Sequence, residues 1–244
     1  MFLVAWLIFM VAYMPAAFVF SRIPGLEQSL ATAGLKLAAV DGSVWQGRAQ
    51  VQYQNLDGIV AWDLDGWGLP RMQLPLDLHL ETTAGDADLS VLLSRTEQNI
   101  RIQRADIDLV KLSPLFSKQR VKLDGRLMIL DLELMLIDQV VDYVAGQLSW
   151  SGGTIGYPVG RNIRERKLPE FKGLLSMKED VAHFGLREVG GSFDVIEATL
   201  NKEGEAFARV KGHLFSLVEE NLPGDYQPQD DVFKVKKKIL PIGF

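Results

Sequence analysis

The sequence predicts an all-β body behind one N-terminal membrane-spanning helix, and three observations predict it. The first twenty residues, Met1–Phe20, carry no charge. From Leu35 onward, apolar and polar residues alternate with a period of two, the pattern of half-buried strands. Turn signals then recur roughly every 8–12 residues, as in an antiparallel body.

The opening stretch reads MFLVAWLIFMVAYMPAAFVF. A helix rises about 1.5 Å per residue, so twenty residues reach across the roughly 30 Å hydrocarbon core of a bilayer. A helix also satisfies its own backbone there, which lipid cannot do. The alternative is a cleaved signal peptide, but the basic start is missing. Pro15-Ala16-Ala17 is a poor cleavage site, and Phe18-Val19-Phe20 continues the apolar run beyond it. A buried core helix is the second alternative, and the lack of any polar face at helical spacing argues against it. Pro15 either kinks the last turn or ends it. Arg22 and Lys36 follow the segment, which by the positive-inside rule argues weakly against a periplasmic body. A start truncated upstream of Met1, with basic residues lost, is the expectation that removes the conflict.

Three regions follow: an anchor at 1–20, a juxtamembrane helix or linker at 21–34, and a β domain at 35–244. In the second, Pro24 and Gly34 punctuate a short amphipathic helix with Leu26 and Leu30 on one side. Gly47–Asn55 alternates as a strand, Asn55–Gly58 reads as a hairpin connection, and Ile59–Leu64 is the return strand. Gly66-Trp67-Gly68-Leu69-Pro70 is a turn-rich break. In Gln73–Glu81, Pro75 lacks a ladder donor and points to an edge or irregular strand. The alternation of Ala87–Leu93 is regular, whereas that of Ile100–Leu109 shifts parity around Gln103-Arg104. Lys111–Ser117 reads as a helical turn.

Val121–Leu136 also changes parity, which requires an inserted residue, so the pattern predicts a β-bulge near Ile129-Leu130. A helical second half, with Leu134, Ile137, Val141 and Val144 in step, is the competing reading. Gly146–Pro158 is strand–turn–strand, and Gly160–Pro169 is a solvated loop. Phe171–Met177, Val181–Val189, Ser192–Leu200 and Glu205–Leu214 are further short strands. The run Lys234–Lys238 is a solvated face or edge-strand guard, or else a contact for anionic headgroups.

Of the 244 residues, 48% are hydrophobic and 23% charged, which fits a packed domain and excludes a disordered tail. The net charge of −5 argues against nucleic acid, which calls for a basic stripe. With no cysteine, disulfides, thiolate nucleophiles and Cys-based zinc sites are excluded. His79, His183 and His213 are far apart in sequence, each inside a strand-like pattern, and read as solvated-face residues. Neither Ser151-Gly152-Gly153 nor Gly190-Gly191-Ser192 has the form of a nucleophile elbow or a phosphate loop. No catalytic residue, metal ligand or cofactor is expected.

One motif stands out. Val40-Asp41-Gly42-Ser43-Val44-Trp45-Gln46-Gly47-Arg48-Ala49 precedes Val60-Ala61-Trp62-Asp63-Leu64, and Gly146–Gly153 carries Trp150. Gly42 and Gly47 allow a tight turn or bulge. Trp45, Trp62 and Trp150 supply large apolar area with one N–H each, either for a core or for a recognition surface. An N-terminal anchor, this Gly-Ser-Val-Trp-x-Gly turn and the Val-x-Trp-x-Leu strand resemble protein N of the type II secretion system, with Ser43 where Thr is usual. Segments such as Ala105–Leu109 with Leu112–Leu115, and Leu123–Leu127, are similar to the AsmA-like envelope proteins. The resemblance implies a long, curved, gutter-like antiparallel sheet in the periplasm, held at the inner membrane as a non-enzymatic scaffold. Its implied partners are other secretion subunits, in the inner-membrane platform and at the outer-membrane secretin, and the membrane itself. An envelope lipid-binding groove of the AsmA-like type is the alternative.

Overall fold

A computed structural model describes residues 10, 13–32, 34–160, 162–218 and 226–238. The chain divides into two compact units, Met1–Arg95 and Thr96–Phe244. It is mostly β, and the strand pairing is antiparallel throughout.

The first unit is a meander of β1 (Leu35–Gly42), β2 (Gln46–Tyr53), β3 (Leu56–Leu64), β4 (Leu74–Thr82) and β5 (Gly85–Leu93). Period-two patterning gives it two distinct faces. Val40, Ala49, Val60, Leu80 and Ala87 lie abreast on one, and Asp41, Arg48, Ala61, His79 and Asp88 on the other. Contrary to the edge-strand expectation, Pro75 lies in β4, between β3 and β5. It is tolerated because it is the second residue of the strand, where only β5 supplies a ladder partner.

Two short helices precede the meander: α1 (Ala16–Phe20) and α2 (Leu26–Thr32). Most of the expected span lies outside the described residues, and no described helix is long and apolar enough to cross a membrane. Pro15 is extended and bridges to Ser43, and the Val44 N–H donates to the Met14 carbonyl at 3.0 Å. Ala16 is buried, and Phe20 meets Trp62 edge-on at 5.7 Å. Pro15–Phe20 is therefore held by the sheet, because these apolar side chains find partners there.

The second unit contains β6 (Glu97–Asp108), α3 (Leu109–Leu112), a 3-10 turn (Ser113–Gln119), β7 (Lys122–Leu123), β8 (Arg126–Ile137), β9 (Val140–Trp150), β10 (Gly153–Val159), β11 (Asn162–Leu168), β12 (Phe171–Lys178), β13 (Val181–Glu188), β14 (Ile196–Leu200), β15 (Glu205–Lys211), α4 (Gly212–Leu217) and β16 (Asp231–Lys238). Its main sheet runs β6-β8-β9-β12-β13-β14-β15-β16, and β11-β10-β7 form a small second sheet. One row across the main sheet, Ala105, Ile129, Leu148, Gly173, Leu186, Ile196, Val210 and Phe233, is apolar at every strand. Two core clusters form on this unit: Leu168, Phe171, Val195 and Val218, and Leu136, Val141 and Val144.

Four sequence expectations change here. The run Val121–Leu136 is two strands, because Asp124-Gly125 breaks it and sends Leu123 to the small sheet, opposite Ile155. The second half of the run is strand, as expected, and not the competing helix. The bulge falls at Asp131-Leu132 rather than Ile129-Leu130: Leu130 faces Gln147 and Glu133 faces Ala145, so one extra β8 residue is absorbed. Asp131 adopts φ 47°, a left-handed conformation, and Leu130 is left on the polar face, 40% exposed. The β6 parity shift lies alongside, with Ile102 opposite Leu132 and Arg104 opposite Leu130. Third, the polar stretch read as a loop after Gly160 contains β11, which pairs with β10 along its length; Arg164, Glu165 and Lys167 are exposed, Arg166 is half-buried and donates Nε–H to the Val218 carbonyl at 2.7 Å, and Leu168 is buried. Finally, Gly212–Leu217 is helix, which places His213 off the strand.

Candidate functional site

Four of the five motif residues meet in the first unit. The β1–β2 turn closes when the Ser43 N–H donates to the Gln46 carbonyl at 2.8 Å and the Gln46 N–H to Ser43 Oγ at 3.1 Å. Gly42 has φ 94°, a conformation that favours glycine. Gly47 lies directly opposite Trp62, whose Nε1 donates to the Val44 carbonyl at 3.1 Å. Trp45 lies against Gly66. Gly42, Trp45, Gly47 and Trp62 thus build one corner, on which the chain arriving from Met14 is fastened.

Trp150 belongs to the second unit. Its ring stacks on Phe171 at 6.0 Å and 10°, and its Nε1 donates to the Asp124 carbonyl at 2.8 Å. In both units the indole N–H is given to a backbone carbonyl while the ring packs, as a structural tryptophan does.

Sequence reasoning passed over Trp67. Asp65 caps a 3-10 turn, Gly66–Arg71, by accepting the Trp67 N–H at 2.9 Å, and the turn holds Trp67 88% exposed. The available signal was a Trp between two glycines in a break, where no strand face buries it.

The polar face of the second unit's main sheet carries a groove of about 600 Å³. Leu130 and Leu174 form part of its lining, flanked by Lys172, Lys178, Arg187 and Arg209. Arg187 pairs with Asp194 at 3.0 Å and Arg209 with Glu197 at 2.8 Å. His183 stands between Ser176 and Thr199 in register, but no hydrogen bond joins it to either. The groove presents charge and apolar surface without a nucleophile–base pair.

The other two histidines are paired. His79 Nδ1 bonds Asp88 and its Nε2 lies 3.1 Å from Glu81; these carboxylates, Asp88 foremost, raise its pKa above the ordinary value. His213 lies 2.8 Å from Glu188 and edge-on to Phe193 at 5.7 Å. Among the described residues no group of three His, Cys, Asp or Glu side chains is placed to hold a metal ion.

A family model for protein N of the type II secretion system matches residues 33–223. That span takes in the corner motif, both units' sheets through β15, and the groove. No curated protein and no solved structure matches the chain.

Proposed function

The chain belongs to the protein N family of the type II secretion system, and from that premise we propose that it is a non-enzymatic scaffold of the secretion machine, held at the inner membrane with its body in the periplasm. The family match over residues 33–223 carries this reading. The residues ahead of Pro15 meet the bilayer, and the corner around Trp45 and Trp62 grips the chain at Met14 as it emerges. The body offers other subunits of the inner-membrane platform, or the secretin, a sheet whose last strand, β16, pairs only with β15 among the described residues. Strand addition at that open edge is a physical route to assembly: unpaired N–H and C=O groups accept a partner strand. Lys234, Lys236, Lys237 and Lys238 guard the edge against indiscriminate pairing.

The test is mild detergent extraction from cells carrying the whole system. Co-purification with platform proteins is the expected result, and recovery of the bare protein would count against it. Deleting the gene should reduce release of exported proteins while leaving outer-membrane lipid composition unchanged.

The apolar row from Ala105 to Phe233 favours a second reading, an acyl-chain groove of the AsmA-like kind. Phe233 is 56% exposed at its end. Lipid found by mass spectrometry in the purified protein would support that reading; its absence would favour the scaffold.

A further inference from the structure

We infer that the loop Gly66–Met72 is a second membrane contact, dipping Trp67, Leu69 and Met72 into the interfacial layer of the bilayer beside the N-terminal segment. The inference rests on the inner-membrane reading above. Trp67, Leu69 and Met72 are 88%, 47% and 73% exposed, three large apolar side chains within six residues. Isolated exposed apolar residues are ordinary, but a cluster of this kind marks an interaction surface.

The loop is built rather than loose. Asp65 caps it, the Gln73 N–H donates to the Gly68 carbonyl at 3.1 Å, and the Met72 N–H to the Leu69 carbonyl at 2.9 Å. A frame so closed presents its apolar side chains outward because they have nowhere else to go.

The position of the loop selects the occupant. The β1–β2 turn and the β3–β4 connection lie at the same end of the first unit's meander. Val44 holds Met14 there, and the Leu64 N–H donates to the Trp45 carbonyl at 2.6 Å, immediately before the loop. The chain from the uncharged leader therefore reaches the body at the loop's own end, where the bilayer surface lies on the anchored reading. Trp is the residue most at home in that layer, with an apolar ring and a polar N–H. Arg71 and Asp65 offset each other in charge, so insertion depends on apolar burial and not on anionic lipid.

The chain has no cysteine, so a single label reports without background. The full chain is reconstituted in phosphatidylcholine vesicles with an environment-sensitive fluorophore at L69C, M72C, I59C or V4C. Ile59, exposed toward the end of β3 away from the loop, is the control for the body, and Val4 for the leader. Doxyl-labelled lipid should quench the label at 69, 72 and 4 and leave 59 accessible to aqueous iodide. Adding W67S to M72C should reduce the lipid quenching; because Trp67 is a solvent-facing side chain, this change leaves the fold intact. If 69 and 72 respond like 59 while 4 is quenched by lipid, the loop inference fails and the anchor stands. If 4 is also unquenched, both fall. Shielding of 72 only when other secretion proteins are present would overturn the membrane assignment in favour of a protein partner.

Discussion

Gly47 and Trp62 share one space: a Cβ on Gly47 would come within 2.5 Å of the Trp62 ring, and equally close to the Asp41 carbonyl oxygen. The indole fills the place that the missing side chain leaves, and its N–H fastens Val44, to which Met14 is tied. The motif is thus a joint between the leader and the sheet.

Gly47→Ala should destabilise the first unit by about 1–3 kcal/mol, the usual cost of overpacking. Trp62→Leu should rescue it only in part, because the clash with the Asp41 carbonyl remains. Urea denaturation of the single and double variants measures both.

Asp131 occupies the left-handed region at the β8 bulge. Asp131→Val should cost about 1–2 kcal/mol, because a branched Cβ crowds the carbonyl there. Asp131→Gly should be neutral or mildly stabilising. A reversed order of the two in thermal melts would show that the bulge is not held by this conformation.

His79 gains Asp88 and Glu81 in the folded state, which raises its pKa. Its contribution to stability is therefore fully present below the unfolded value of about 6.5 and is lost as pH rises through the higher folded value. The difference in stability between the parent and His79→Gln should narrow from pH 6 toward pH 8. NMR titration of the His79 ring checks the direction independently.

Lys211, at 2.7 Å, and then Lys234 hold the Asp231 carboxyl below its usual range. Its contribution is present above about pH 3.9 and is lost as pH falls through the lower folded value. Asp231→Asn should remove that acid-side dependence and speed hydrogen exchange at the β16 amides, leaving β13 and β14 unchanged.

Much of the body was legible because strand patterning is local. Val51, Tyr53, Val60 and Trp62 announce their face by alternation alone, and the parity shifts in β6 and β8 announce a bulge. The exact site of that bulge was not legible, since Leu130 and Leu132 are the same residue type and only the partner strand shows which of them leaves the core. Pro75 was misjudged because a missing donor matters only where a neighbour requires one. β11 was missed because its charged residues look like a loop until β10 supplies their pairing. Of the candidate site, the motif residues were legible, but their shared corner and the exposure of Trp67 were not.

By itself, the sequence determined the all-β character of the body, the uncharged leader, the corner motif and the absence of cysteine chemistry. These follow from period, charge and residue type, which neighbours in the chain carry together. Only the tertiary structure decided that Pro15–Phe20 docks on the sheet, that Gly47 makes room for Trp62, and that Trp67 faces outward beside the leader's point of attachment. Burial depends on residues distant in sequence, and no local pattern encodes which of them will arrive alongside.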